Sequence, residues 1–213
     1  MLQTLKNVPI VYYQHSAALK QLKQKEDPTM TKFAMDMVLE YPKVFEENRD
    51  MGGDQNNAAK KAAKHNGQYV VNAYFTSEDQ IQELLDGGMD AKPMGNDRVK
   101  EGGNFGIGKF IKLTRMHDHK MTFTDKNGKE TEVDFGGAPK VVNLTNGLEN
   151  KAWWSFEADG AIGNGSRATV QFETYSNGAG VRLCAIGVTD LVAYEASAGV
   201  GAGDDIFNMD EVA

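Results

Sequence analysis

The feature that most constrains the fold is a succession of short β-type runs between Gly108 and Tyr194, each closed by a turn signal. The first four are expected at Gly108–Met116, Lys120–Thr124, Thr131–Phe135 and Lys140–Leu144. Two of them are joined by Asp125–Lys129 (DKNGK), where Asn-Gly supplies the positive φ angles of a tight hairpin. A final pair, Arg167–Tyr175 and Gly180–Tyr194, folds about Ser176-Asn177-Gly178, and its second member is long and apolar. Closely spaced strands of this kind, interrupted by few helices, point to a mainly β chain folded as a small closed barrel with short helical insertions.

Upstream, Lys6–Gln14 reads as a short strand and Leu19–Glu26 as a helix ended by Pro28. Thr31–Glu40 alternates, with Phe33, Met35, Met37 and Leu39 on one face, as a half-buried strand does. Gln55–Lys64 (QNNAAKKAAK) is an alanine-rich helix carrying Lys60, Lys61 and Lys64. Tyr69–Phe75 is a strand, and Ser77 with Gln80 three residues on has capping-box spacing before a helix closed by Gly87-Gly88.

Net charge is -7, which at first argues against a nucleic-acid partner. The distribution matters more than the sum. Residues 98–129 hold eight Lys or Arg against three acids, whereas residues 201–213 hold four acids and no base. No apolar run approaches the ~20 residues of a membrane span, and no export signal is visible, so a cytoplasmic chain is expected. The one cysteine, Cys184, lies in an apolar run and reads as a small core residue.

Gly103–Lys109 (GNFGIGK) falls short of a phosphate loop: Phe110 stands where the metal-binding hydroxyl belongs, and a strand pattern follows instead of a helix. His117 and His119 share a strand face, but no further ligands stand at a metal-site spacing. No cofactor, metal site or catalytic constellation is expected, and the chain reads as a non-enzyme. The basic middle does interleave rings with cations: Lys109, Phe110, Lys112, Arg115, Lys120 and Phe123. Single-stranded nucleic acid needs that mixture, since cations track the phosphates while exposed rings stack on bases. Trp153 and Trp154 are adjacent, so one should face the core and the other solvent. Ala196–Gly203 has linker composition, dividing a domain over residues 1–195 from a tail over 196–213. In that tail Asp204, Asp205, Asp210 and Glu211 surround Ile206-Phe207, as in a peptide captured by a basic, apolar pocket.

Taken in order, Gln68–Phe75, a short helix, a basic hairpin, Gly163–Phe172 (GNGSRATVQF), Gly180–Tyr194 (GVRLCAIGVTDLVAY), a glycine linker and an acidic tail resemble the single-stranded DNA-binding proteins of podovirus-type bacteriophages. The likeness covers roughly residues 33–213. It implies an OB-fold and sequence-tolerant binding of single-stranded DNA in replication, recombination and repair, with strand protection, hairpin removal and annealing. It also implies a tail that contacts the replication polymerase and helicase-primase, competes with DNA for the basic groove and supports homodimer formation. Tyr175 falls in the hairpin where the family carries aromatic residues implicated in DNA contact. The expected phosphate contacts are Lys109, Lys112, Arg115, Lys120 and Arg167, backed by Lys60, Lys61 and Lys64. The expected base contacts are Tyr175, Phe110 and one of Trp153 and Trp154. Here the tail runs six residues past Phe207, and residues 1–30 and the Ala-Lys helix have no counterpart in the family. The competing expectation is a protein-interaction or virion-associated β-barrel whose acidic tail is its working end.

Overall fold

The structure, a computed structural model, describes residues 31–124 and 127–194. The strand expected at Lys6–Gln14, the helix at Leu19–Glu26 and the acidic tail lie outside the described residues.

Ten strands are present among the described residues. They are β1 (Thr31–Lys43), β2 (Gln68–Tyr74), β3 (Val99–Glu101), β4 (Lys109–Met116), β5 (Lys120–Thr124), β6 (Glu130–Asp134), β7 (Lys140–Asn143), β8 (Ala152–Trp153), β9 (Arg167–Tyr175) and β10 (Gly180–Asp190). Three α-helices are interspersed: α1 (Asn57–Lys64), α2 (Glu78–Asp86) and α3 (Phe156–Asp159). Eight strands form one mixed sheet in the order β3-β4-β2-β1-β9-β10-β7-β8, and β5 pairs with β6 as a separate hairpin.

The alternation in β1 sets the architecture. Phe33, Met35, Met37 and Leu39 are all buried, while Lys32, Ala34 and Asp36 between them are exposed. β1 pairs antiparallel with β2 on one side and β9 on the other, so its apolar face meets Val71 and Ala73 of β2 and Val170 and Phe172 of β9. Ile111 and Leu113 of β4 and Leu183 and Ile186 of β10 complete the core. Each such fully buried aliphatic or aromatic side chain contributes about 1.5–3 kcal/mol.

Closure of the expected barrel does not occur. β4 and β10 stand four places apart in the sheet and pack against one another, which curls the sheet strongly. No ladder joins them, because β7 occupies the outer edge of β10, pairing parallel with it over Ala185–Val188. The last strand also stops short of Tyr194: it ends at Asp190, and beyond it Ala193 makes a single bridge to Ile162. A bulge between Leu183 and Ala185 bends β10 at Cys184, which is half-buried, its thiol pKa pushed up by burial.

The capping box expected at α2 takes another form. Ser77 stands at the N-cap without a side-chain bond, and Gln80 instead reaches back so that its Oε1 accepts from the Thr76 backbone N–H at 2.8 Å. In α1 the cap is Asn56, whose Oδ1 accepts from Ala59 N at 3.0 Å. None of the described helices is long and apolar enough to cross a membrane.

Candidate nucleic-acid interface

Where β4, the β9–β10 hairpin and the β5–β6 hairpin come together they enclose a cleft of about 540 Å³. β4 supplies Thr114, Arg115 and Met116. The β5–β6 hairpin and its base supply Met121, Phe123 and Phe135, the β9–β10 hairpin supplies Glu173, Tyr175 and Arg182, and α1 supplies Lys61.

The hairpin alternates, and this aims its apolar side. Met121 stands opposite Val133 and Phe123 opposite Thr131, while Lys120, Glu130, Glu132 and Asp134 fall on the other face. An isolated two-stranded hairpin is marginal in water, so its base needs fixing. Arg115 does part of this by donating from Nε to the Gly136 carbonyl at 3.1 Å. Backbone bonds from Phe135 N to His119 O (2.7 Å) and from Gly137 N to His117 O (2.6 Å) do the rest. A Cβ at Gly136 would stand 2.3 Å from the His117 carbonyl, so only glycine permits this approach.

The rings are set with open faces. Tyr175 is 43% exposed, Phe123 45% and Met121 44%. Phe123 meets Phe135 edge-on with centroids 6.0 Å apart. The Arg182 guanidinium lies 4.6 Å over the Phe135 ring, a cation–π contact. Tyr175 is seated on Gly180, where a Cβ would be 2.2 Å from its ring, so any side chain at 180 would displace it.

Arg115, Arg182 and Lys61 line the cleft together with one carboxylate, Glu173, which is 4% exposed and accepts from Arg182 Nη2. Glu173 and Arg182 are direct cross-strand partners, and Arg182 Nε is buried without a hydrogen-bond partner. Burial and the neighbouring Arg182 charge lower the Arg115 pKa, though a guanidinium stays protonated at neutral pH. His119 lines the cleft with its ring 5.2 Å from that of His65, and burial, His65 and the Lys61 charge lower its pKa.

Of the residues expected from sequence, the cleft brings together Arg115, Tyr175 and Lys61. The others stand elsewhere. Lys60 and Lys64 are exposed on α1 without lining the cleft. Lys109 is paired with Glu78 at 2.7 Å beside a different, polar depression, and Lys120 is paired with Glu132 at 3.0 Å on the far face of the hairpin. Phe110 is half-buried against Tyr74, and Lys112 is exposed opposite Asn72 on the outer face. Arg167 is exposed at the start of β9. The tryptophans divide as expected. Trp154 is buried, its Nε1 donating to Gly160 O at 2.9 Å, which removes it as a stacking platform. Trp153 is 70% exposed on β8 at the edge of the sheet and does not line the cleft.

Sequence reasoning missed Arg182, Glu173, Phe135 and His119. A signal for two of them existed. The turn at Ser176-Asn177-Gly178 places residues 173 and 182 opposite each other, so an acid and an arginine inside otherwise apolar strands mark a buried pair. Compared with protein-family models, with curated proteins and with solved structures, the chain matches none.

Proposed function

We propose that this chain is a non-catalytic, sequence-tolerant binder of single-stranded DNA, acting on strands exposed in replication, recombination and repair. The observation that carries the reading is the cleft itself: half-exposed rings of Tyr175 and Phe123 interleaved with Arg115, Arg182 and Lys61. Stacking on such rings is worth about 1–3 kcal/mol per base and tolerates any base, while the cations take phosphate.

The strand order supports an OB-type reading of the five central strands, β4-β2-β1-β9-β10, with β4 packed against β10. OB-type barrels are partly open and bind oligonucleotides on the face of their second and third strands, between the loops joining strands one to two and four to five. In that reading β2 and β4 are the second and third strands. The connection over residues 44–67, with α1 and Lys61, is the first loop, and the turn after Tyr175 is the other. Both contribute to the cleft. The resemblance to phage single-stranded DNA-binding proteins agrees with this. The same resemblance makes the acidic residues 204–211 the proposed docking segment for replication proteins.

The test is fluorescence anisotropy of a labelled oligo-dT of about 30 nucleotides against the full chain at two salt concentrations. The expected result is binding whose log affinity falls linearly with log salt, with a slope of about -0.7 per phosphate contact. Absence of salt-sensitive binding would remove this reading and favour a protein-interaction domain.

A further inference from the structure

We propose that the cleft is an anchor pocket for one nucleotide, base and phosphate together, and that the rest of a bound strand is held more weakly. This rests on the strand-binding reading and narrows it.

A uniform groove would spread its cations along the path of the backbone. Here they converge: Lys61, Arg115 and Arg182 come from three separate elements into one cavity. Lys109 and Lys120 are occupied by carboxylates elsewhere on the surface. The cavity, about 540 Å³, falls in the roughly 300–1,000 Å³ range of pockets that hold small molecules. Its walls are matched to a nucleotide's two ends. Phe123, Phe135 and Tyr175 offer ring faces and edges to a base, and the cations offer charge to a phosphate. Arg182 is held in place by Glu173 beneath and Phe135 alongside, so its guanidinium is ordered before any ligand arrives. Its Nε is buried without a hydrogen-bond partner within the protein, so any ligand contact falls to the terminal guanidinium nitrogens. Glu173 offsets part of the cation charge, so bare phosphate gains little here, and a ligand that also stacks a base on Tyr175 and Phe123 gains more.

The experiment is calorimetric titration of the full chain with dTMP, thymidine and inorganic phosphate at fixed ionic strength, alongside labelled oligo-dT displaced by dTMP. The expected result is saturable binding of dTMP, about tenfold or more tighter than phosphate or thymidine, with displacement of the oligonucleotide. Tyr175→Ala should abolish that preference while leaving the circular dichroism spectrum unchanged. Oligo-dT binding with dTMP no better than phosphate overturns the anchor and leaves strand binding in place. Saturable dTMP binding with no oligonucleotide binding keeps the pocket and removes the strand-binding reading. Binding of neither removes both.

Discussion

Strand β4 sends aromatic and basic residues to two places, and they meet opposite fates. On the outer face of the sheet Phe110 packs on Tyr74 with centroids 4.9 Å apart, and Tyr74 packs in turn on Phe105 at 5.6 Å. The Tyr74 hydroxyl donates to Glu40 at 2.9 Å, and burial together with that carboxylate raises its pKa to about 12. At the start of the strand Lys109 is tied to Glu78. There the rings stack on one another, and the cation already has its anion. In the cleft Tyr175 and Phe123 keep open faces, and three cations stand in a lining with one acid, Glu173, which pairs with Arg182 alone. The same residue types serve cohesion in one region and leave unmet binding capacity in the other. Composition alone does not separate the two; the position of the neighbouring acids does.

The sharpest way to break this contrast is at Arg182. Replacing it with alanine strips the buried Glu173 of its counter-charge, which costs about 3–5 kcal/mol for a buried pair. Urea denaturation should show that loss, and the double variant Glu173→Gln, Arg182→Met should recover most of it. On the outer face Glu40→Ala removes an acceptor from a neutral phenol and an amide, and should cost only about 1 kcal/mol. Equal losses at the two sites would mean that the cleft pair is no more desolvated than the outer one.

Next in size are the rings. Tyr175→Ala and Phe123→Ala should each weaken oligo-dT binding by about 1–3 kcal/mol with little change in stability, because both are half-exposed. Phe110→Ala should do the reverse, lowering stability through its lost packing on Tyr74 and leaving affinity nearly unchanged. A comparable affinity loss in Phe110→Ala would shift the interface to the outer face.

Smaller still is the charge effect. Lys61→Gln should reduce the salt slope by about 0.7, the share of one phosphate contact on a single strand. Lys120→Gln, already engaged by Glu132, should leave it within error. A reduced slope in Lys120→Gln would bring the far face of the hairpin into the path of the strand.

These contrasts also show what the sequence made legible. Period-two alternation identified β1, and the Asn-Gly and Ser-Asn-Gly turns located both hairpins, because strand faces and turn angles are local properties. The basic middle is legible as charge, and Arg115, Tyr175 and Lys61 of the cleft are among the residues that the sequence singles out. Which lysines are engaged is not, since Glu78 lies 31 residues from Lys109 and Glu132 lies 12 from Lys120. The open edge is illegible for a similar reason. Whether β7 or β4 pairs with the outer edge of β10 depends on a parallel pairing across some 45 residues, to which no local pattern corresponds.

The last contrast concerns pH, and it pulls binding and stability in opposite directions. His119 lines the cleft, and burial, His65, Lys61 and Arg182 all lower its pKa, with Asp134 opposing them. No comparable group stands among Lys112, Asn72 and Phe110 on the outer face. A histidine whose folded pKa is depressed binds fewer protons in the folded state than in the unfolded one. Its effect on stability is therefore nil well above the ordinary value near 6.5. As pH falls below that value, stability declines until the folded His119 is itself protonated. A phosphate in the cleft favours the protonated ring, so over the same interval affinity for oligo-dT should rise as stability drops. Anisotropy and urea denaturation between pH 8 and 5 would show the two trends crossing. His119→Gln should flatten the affinity trend more than it flattens the change seen at fixed pH with salt. If affinity falls with stability instead, the strand does not approach His119, and the bound path lies toward Lys112 on the outer face.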